Sequence, residues 1–426
     1  MKQGAERLIA LWVVFVAIHA LIAWLGWVYP SQPMGDVVLV YEPWATAAVS
    51  GGPIVGITET WVYPQLALVP LLLAKAMAVP LVGVLGVSGA YLVAWAILVS
   101  ALDALAFAVL LGRSPSAPRR TAAWFWSAAL LLLGPIALYR LDAVTLPIVV
   151  IVGLWLVSRP ALAAALLTIG AWIKIWPGAV LLAALVAGRH RLRTVVAALA
   201  VTAAVVTGLL LLGAREHLFG FLTEQGGRGL QIEAVAATPF LWAVPGGSAR
   251  IEYSFDILTF QVAAPGADVV VAALSGVMVA VVAGILALSG WKAMRGAAFA
   301  RLLPPLALSL VAALIVTNKV GSPQFQVWLI APVILWLVFD RVRAAVPTVV
   351  VLLLCILTCL VYPLGYDALL QAQVLPIVVL SVRNALLLIL LVIGIRAVVR
   401  TPDGAADRTE PLMHRRLDDP GATANR

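Results

Sequence analysis

The chain is poor in charge and almost free of cysteine. Of its 426 residues 11% are charged and 63% are hydrophobic, where soluble domains carry about 25% charged residues. That balance excludes a water-soluble globule. Runs of about 20 apolar residues recur from end to end, the pattern of a polytopic helical membrane protein. The two cysteines, Cys355 and Cys359, stand one helical turn apart inside an apolar run, and the four histidines are scattered. This is not Cys-x-x-Cys spacing and nothing nearby completes a metal site, so the thiols are expected to be inert and no metal is expected. The chain has no Walker A loop and no Gly-x-Ser-x-Gly elbow, which removes P-loop phosphoryl transfer and that class of hydrolase. The net charge of +9 comes without a basic run interleaved with aromatics. Nucleic acid is therefore not an expected partner. Lysine and arginine gathered on cytoplasmic loops make such a chain basic by themselves.

The charges that are present suggest a topology. Lys2 and Arg7 precede an apolar run over residues 8–28, and the following Tyr29-Pro30-Ser31-Gln32 has no small-x-small cleavage pattern. The run reads as a retained signal anchor. With each basic cluster kept cytoplasmic, twelve crossings are expected. They are 8–28, 84–111, 121–138, 143–157, a hairpin of two short spans within 161–187, 194–212, 268–289, 302–316, 325–339, 345–361 and 375–395. Residues 65–79 hold Lys75 and Pro70 and end at Pro80. Counting them as a crossing would put Arg113, Arg119 and Arg120 outside, so they read as a shallow interfacial helix. The expectation is one all-α membrane domain over residues 1–400, in the cell membrane with both termini cytoplasmic, and a disordered polar tail from Thr401.

Two long polar segments, 30–64 and 213–266, fall outside together with short turns near 139–142, 174–177 and 317–324. Asp36, Glu42, Glu59, Arg140, Asp142, Lys174, Arg228, Glu233 and Lys319 then share one face. Ionisable groups at membrane depth cost at least about 2.5–3.5 kcal/mol each, and charges held in short turns suggest a common cavity opening outward. For Glu42, Arg215, Arg250 and Asp268 the simpler reading is exposure to water. Asp36 precedes a helix-compatible run and has N-capping as its plain alternative. For Lys174 the plain alternative is snorkelling from a span end. Asp103 lies deep in the second span with no evident partner, and His19 reads as a packed residue. Arg383 and Asn384 lie in the outer half of the last span, within reach of the same cavity. Outside the membrane there is no ATP or nucleotide sugar, so a transferase there needs a lipid-carried donor. A basic side chain at the interface would neutralise the phosphate as it leaves, and a nearby carboxylate would take the proton of the attacking hydroxyl.

Five stretches occur in an order that resembles glycosyltransferase family 87. They are Asp36…Tyr41 after the first span, Trp61-Val62-Tyr63-Pro64-Gln65, Ile173-Lys174-Ile175-Trp176-Pro177, Arg228–Glu233 followed by Thr238-Pro239, and Asn318-Lys319-Val320-Gly321-Ser322-Pro323-Gln324. Pro64-Gln65 departs from the Pro-Pro of many relatives. The resemblance implies a GT-C membrane fold and inverting transfer of mannose from polyprenyl-phosphate-mannose to a glycolipid acceptor on the outer face, as in actinobacterial lipoglycan synthesis. It implies Asp36 as catalytic base and Lys174, Lys319 and Arg228 as ligands of the donor phosphate. The substrate cavity is then expected to take in Tyr41, Glu59, Tyr63, Arg140, Asp142, Gln231, Glu233, Asn318, Ser322 and Gln324. No cofactor is implied beyond the lipid-linked donor. Arabinofuranose or another lipid-linked sugar is the nearest alternative, and a lipid or solute transporter is the alternative from another class.

Overall fold

The computed structural model describes residues 2–254 and 259–404. The first apolar run forms α1 (Lys2–Val28). Its 27 residues extend about 40 Å, more than the ~30 Å hydrocarbon layer. After α1 the chain enters a wide π-type turn over Asp36–Tyr41 that continues as α2 (Glu42–Val49). A loop leads to α3 (Leu68–Ala78) and α4 (Val82–Leu111). With 11 residues, α3 reaches about 16 Å and is too short to cross. It folds back along α4, where Tyr91 Oη donates to the Leu71 carbonyl at 3.2 Å. Gly86, at φ +69°, breaks the first turn of α4 from the rest, a conformation open to glycine without steric cost.

Then follow α5 (Ala117–Leu133), α6 (Asp142–Trp155), α7 (Pro160–Ile173), α8 (Pro177–Ala187) and α9 (Arg191–Leu211). The expected hairpin is α7–α8, bent at Lys174–Trp176, and Pro177 opens α8 where its missing N–H is harmless. The second polar segment holds α10 (Gly220–Gly226), α11 (Thr238–Ala243) and an antiparallel hairpin of β1 (Arg250–Ser254) and β2 (Thr259–Ala263). The hairpin is a small β addition to a body that is otherwise helical, as expected. Ile251, Tyr253, Phe260 and Val262 are good strand formers, and residues 230–232 add to the β2 edge through Val262 N–H to Leu230 O (2.9 Å) and Ile232 N–H to Phe260 O (3.2 Å). The C-terminal part comprises α12 (Ala267–Met294), α13 (Phe299–Val316), α14 (Gln326–Phe339), α15 (Ala345–Cys359), α16 (Tyr366–Leu370) and α17 (Val374–Val399).

Eight helical stretches among the described residues are long and apolar enough to cross a membrane. The chain is therefore a polytopic helical membrane protein. All twelve expected spans are helical, but α6, α7, α8 and α14 have only 11 to 14 residues. α13 is the central helix: 78% of its apolar window is buried, against 11% for α9 and 6% for α12, whose apolar surfaces face outward. Cys355 and Cys359 are buried and unpaired with each other. Asp103, without an evident partner in the sequence, meets His19 Nε2 at 3.2 Å and ties α4 to α1. His19 Nδ1–H donates to the Phe15 carbonyl (2.9 Å), so the proton shared with Asp103 lies between Nε2 and Oδ2. The first residues after α17 are packed: Thr401 is buried, its carbonyl accepts from Lys292 at 2.9 Å, and Asp403 pairs with Lys292 and Arg295. The rest of the expected tail, 405–426, lies outside the described residues.

Candidate functional site

The turn joining α5 to α6 organises the polar end of the bundle. Arg140 and Asp142 are both buried there, and each finds its counter-charge on another segment. Arg140 Nη1 lies 3.0 Å from Asp36 Oδ2, and its Nη2 donates to Tyr362 Oη at 3.0 Å. Tyr362 Oη in turn donates to the Ser31 carbonyl (3.2 Å). The Arg140–Asp36 contact is ionic rather than an aligned hydrogen bond, so Nε and Nη1 of Arg140 keep donor capacity. Burial works against the Arg140 charge, and Asp36 with the tyrosine hydroxyls of Tyr362 and Tyr41 more than offsets it, which raises the guanidinium above its ordinary value. Two residues on, Asp142 Oδ2 faces Lys174 Nζ at 3.4 Å, and Asp142 Oδ1 accepts from Trp328 Nε1 at 2.6 Å. Between the two pairs, Tyr41 Oη accepts from the Leu141 N–H (3.2 Å).

These contacts settle the plain alternatives. Asp36 makes no capping hydrogen bond, and its helical turn is entered from Gly35. Lys174 does not snorkel: besides Asp142 it sits 4.2 Å above the Tyr63 ring. Glu42 is not a water-facing loop residue. It is buried, takes Lys75 Nζ and Thr46 Oγ1 at 2.6 Å each, and so joins α2 to α3. Burial would raise its carboxyl, but Lys75 and Thr46 overcome that and lower it. Arg215, Arg250 and Asp268 are exposed, as expected.

A cavity of about 350 Å³ opens beside this turn. Of the residues expected there it is lined by Tyr63, Lys174, Arg228, Asn318, Lys319, Ser322 and Gln324. The rest of the lining is largely apolar, with Ile175, Phe221, Leu222, Leu314 and, from the outward-facing α12, Leu274 and Met278. Burial lowers Arg228 from its ordinary value. Lys319 is lowered by burial and then by neighbouring Arg228. Burial disfavours both charges and Arg228 adds to this for Lys319, a setting that an anion would relax. Arg228 Nε is buried with no hydrogen-bond partner among the described residues.

Asp36, Tyr41, Glu59, Arg140, Asp142, Gln231 and Glu233 do not line this cavity. Asp36 connects to it only indirectly, paired with Arg140 two residues before Asp142, which meets the cavity residue Lys174. Tyr41 and Arg140 are scaffold. Glu59 is exposed on its loop. Gln231 pins the wall instead of facing the space: its Oε1 accepts from Gly321 N–H (2.9 Å) and Ser322 Oγ (3.4 Å), and its own N–H donates to the Lys319 carbonyl (3.0 Å). A Cβ on Gly321 would sit 2.2 Å from Ala234 N, so only glycine lets these two backbones meet. Glu233 is buried against Arg383, 3.4 Å away, whose Nη2 donates to the Glu233 carbonyl and to Asn384 Oδ1. Burial pushes the Glu233 carboxyl up to about 7 despite Arg383 and Arg140. Arg383 and Asn384 thus brace residues 233–238 from behind and do not face the cavity.

Three contributors carry no sequence signal: Trp328 inside an apolar run, Tyr362 at the end of another, and Lys75 as partner of Glu42. Among the described residues no three or more His, Cys, Asp and Glu side chains gather as a metal site. No family model, curated protein or solved structure matches this chain.

Proposed function

We propose that the chain is a membrane glycosyltransferase that takes its sugar, most simply mannose, from a polyprenyl-phosphate donor and passes it to a glycolipid acceptor at the outer face. The observation that supports this best is a cavity lined by both cations and apolar side chains. Lys174, Arg228 and Lys319 come from three separate polar segments, and they share the lining with apolar side chains that include Leu274 and Met278 of the outward-facing α12. Such a space suits an amphiphile with an anionic head and a long apolar chain. Lys174 is held by Asp142, so Arg228 and Lys319 are the cations on the lining that this reading assigns to the phosphate.

Asp36 is the base in this reading. Of the carboxylates around the turn, Asp142 and Glu233 are sealed in buried pairs, whereas the Asp36 side chain is 37% exposed while one oxygen is held by Arg140. Its other oxygen is free to take the proton of an acceptor hydroxyl. The hydroxyl oxygen attacks the anomeric carbon, the bond from that carbon to the phosphate oxygen breaks, and polyprenyl phosphate leaves with the electron pair, its added charge met by Arg228 and Lys319. The reading takes the GT-C fold and twelve crossings with it, the short helices α6, α7, α8 and α14 completing the count within the bundle.

The test is transfer by purified protein in liposomes holding labelled polyprenyl-phosphate-mannose and a glycolipid acceptor fraction. Labelled glycolipid should form with the native chain and not with Asp36→Asn, while the variant still binds the donor. Full turnover by Asp36→Asn would remove it as base. Lipid movement across the bilayer with no sugar transferred would favour the transporter reading.

A further inference from the structure

The opposite end of the bundle carries a second basic site, built independently of the first. Arg7 near the start of α1, Arg120 in the first turn of α5 and Arg341 in the turn between α14 and α15 line one cavity of about 350 Å³, together with Ala10, Leu11 and Trp124. No carboxylate lines it. Neighbouring arginines at this end are otherwise occupied: Arg119 Nη1 donates to the Leu110 carbonyl, and Arg343 pairs with Asp340 and donates to the Ala397 carbonyl. Asp340, the acidic neighbour in sequence, is thereby taken from Arg341. Arg120 is anchored by one nitrogen, Nη1 to the Pro115 carbonyl at 2.6 Å, which fixes the guanidinium and leaves its other N–H groups for the cavity.

A general excess of positive charge at a cytoplasmic face scatters over loops; here three guanidiniums from three distant segments converge on one space. Guanidinium forks match the geometry of phosphate oxygens. Below the cavity, Trp124 and Leu131 lie seven residues apart on one face of α5 and are 47% and 41% exposed, which continues the site as an apolar track into the membrane. We propose that this cavity binds the phosphate-bearing headgroup of an anionic phospholipid, its acyl chains running along α5. Basic pockets between helices on the cytoplasmic side take such headgroups, and an exposed tryptophan at the rim suits the interfacial layer.

Native mass spectrometry of the full chain in micelles doped with phosphatidylglycerol or phosphatidylcholine tests this. Phosphatidylglycerol should remain bound where phosphatidylcholine does not. The triple variant Arg7→Gln, Arg120→Gln, Arg341→Gln should weaken it on the order of a hundredfold, at roughly fivefold for each charge. Arg189→Gln, Arg191→Gln, Arg193→Gln removes the same charge from the start of α9 and the residues just before it, and should leave the lipid bound. Equal loss in both triples would reduce the effect to net charge and overturn the site, as would undiminished binding in the first. Displacement of the lipid by a few millimolar inorganic phosphate would assign the cavity to the free anion and overturn the lipid reading. If the triple does not fold, Arg341→Gln alone, on an exposed turn, should still show the roughly fivefold loss; its absence counts against the proposal. None of these readouts depends on sugar transfer.

Discussion

Two carboxylate–guanidinium pairs stand at the polar end of this bundle, and they differ in one respect. In Glu233–Arg383 both side chains are 1% exposed, and the guanidinium also serves a backbone carbonyl and Asn384. In Asp36–Arg140 the guanidinium is equally enclosed, 6% exposed, but the carboxylate is 37% exposed. The first pair has no face left for a ligand. The second has a fixed cation behind an accessible anion. The same chemistry braces the fold in one place and, in the proposed reading, supplies the reactive group in the other, and access to solvent is what separates them.

If that contrast is right, substitutions at the two pairs should fail in opposite ways. Asp36→Asn should lower transfer by on the order of 10²–10⁴, the range for loss of a general base, a loss far beyond what any drop in the unfolding midpoint from the stranded Arg140 charge accounts for. Arg383→Met should do the reverse. Removing one partner of a buried pair costs about 3–5 kcal/mol, so the unfolding midpoint should drop sharply, and whatever activity is lost should track the fraction folded. An unfolding midpoint unchanged in Arg383→Met would show that the pair is no brace.

The pH dependence sharpens the same point. Glu233 titrates near 7 in the folded chain against an ordinary 4.5. A carboxyl raised in the folded state adds stability that is fully present below 4.5 and is lost as pH climbs through about 7. The midpoint should therefore fall across that window, and Glu233→Gln should flatten the fall. Loss of stability on the acid side of the window would contradict the assigned burial.

Much of this architecture was legible in the sequence because the bilayer demands it. A run such as 375–395 has no alternative to a helix in hydrocarbon, and the bend at Lys174–Pro177 was required by basic flanks on both sides. Lys174, Arg228 and Lys319 were brought together by the resemblance and the topology. Pair partners were not legible. Asp103 meets His19 across 84 positions and Asp142 meets Trp328 across 186, and no spacing rule reaches that far. Glu42 was misjudged because its partner, Lys75, lies on a different short helix. The hairpin of β1 and β2 was hidden by the glycines and charges around it, and the pairing of residues 230–232 with its edge spans about 30 positions.

The cavity cations should give an intermediate effect. A hydrogen bond to a charged group is worth about 1.5–3 kcal/mol, so Arg228→Gln and Lys319→Gln should each weaken donor binding by about 10- to 100-fold. Lys174→Gln should cost donor binding less and stability more, because it strands buried Asp142. Donor affinity measured in nanodiscs separates these cases, and an equal loss for all three would put Lys174 on the phosphate after all.

The smallest effect is expected at Glu59. It belongs to the same acidic segment as Asp36 and Glu42, but it is exposed and outside the cavity lining. A surface carboxylate of this kind contributes within about ±0.5 kcal/mol, so Glu59→Gln should change neither the unfolding midpoint nor the transfer rate measurably. The substitution bears on the opening contrast because it removes charge from the same face without touching a guanidinium. A clear loss of transfer in Glu59→Gln at unchanged stability would mean that an unanchored carboxylate reaches the substrate, and the requirement for a fixed cation behind the base would fall with it.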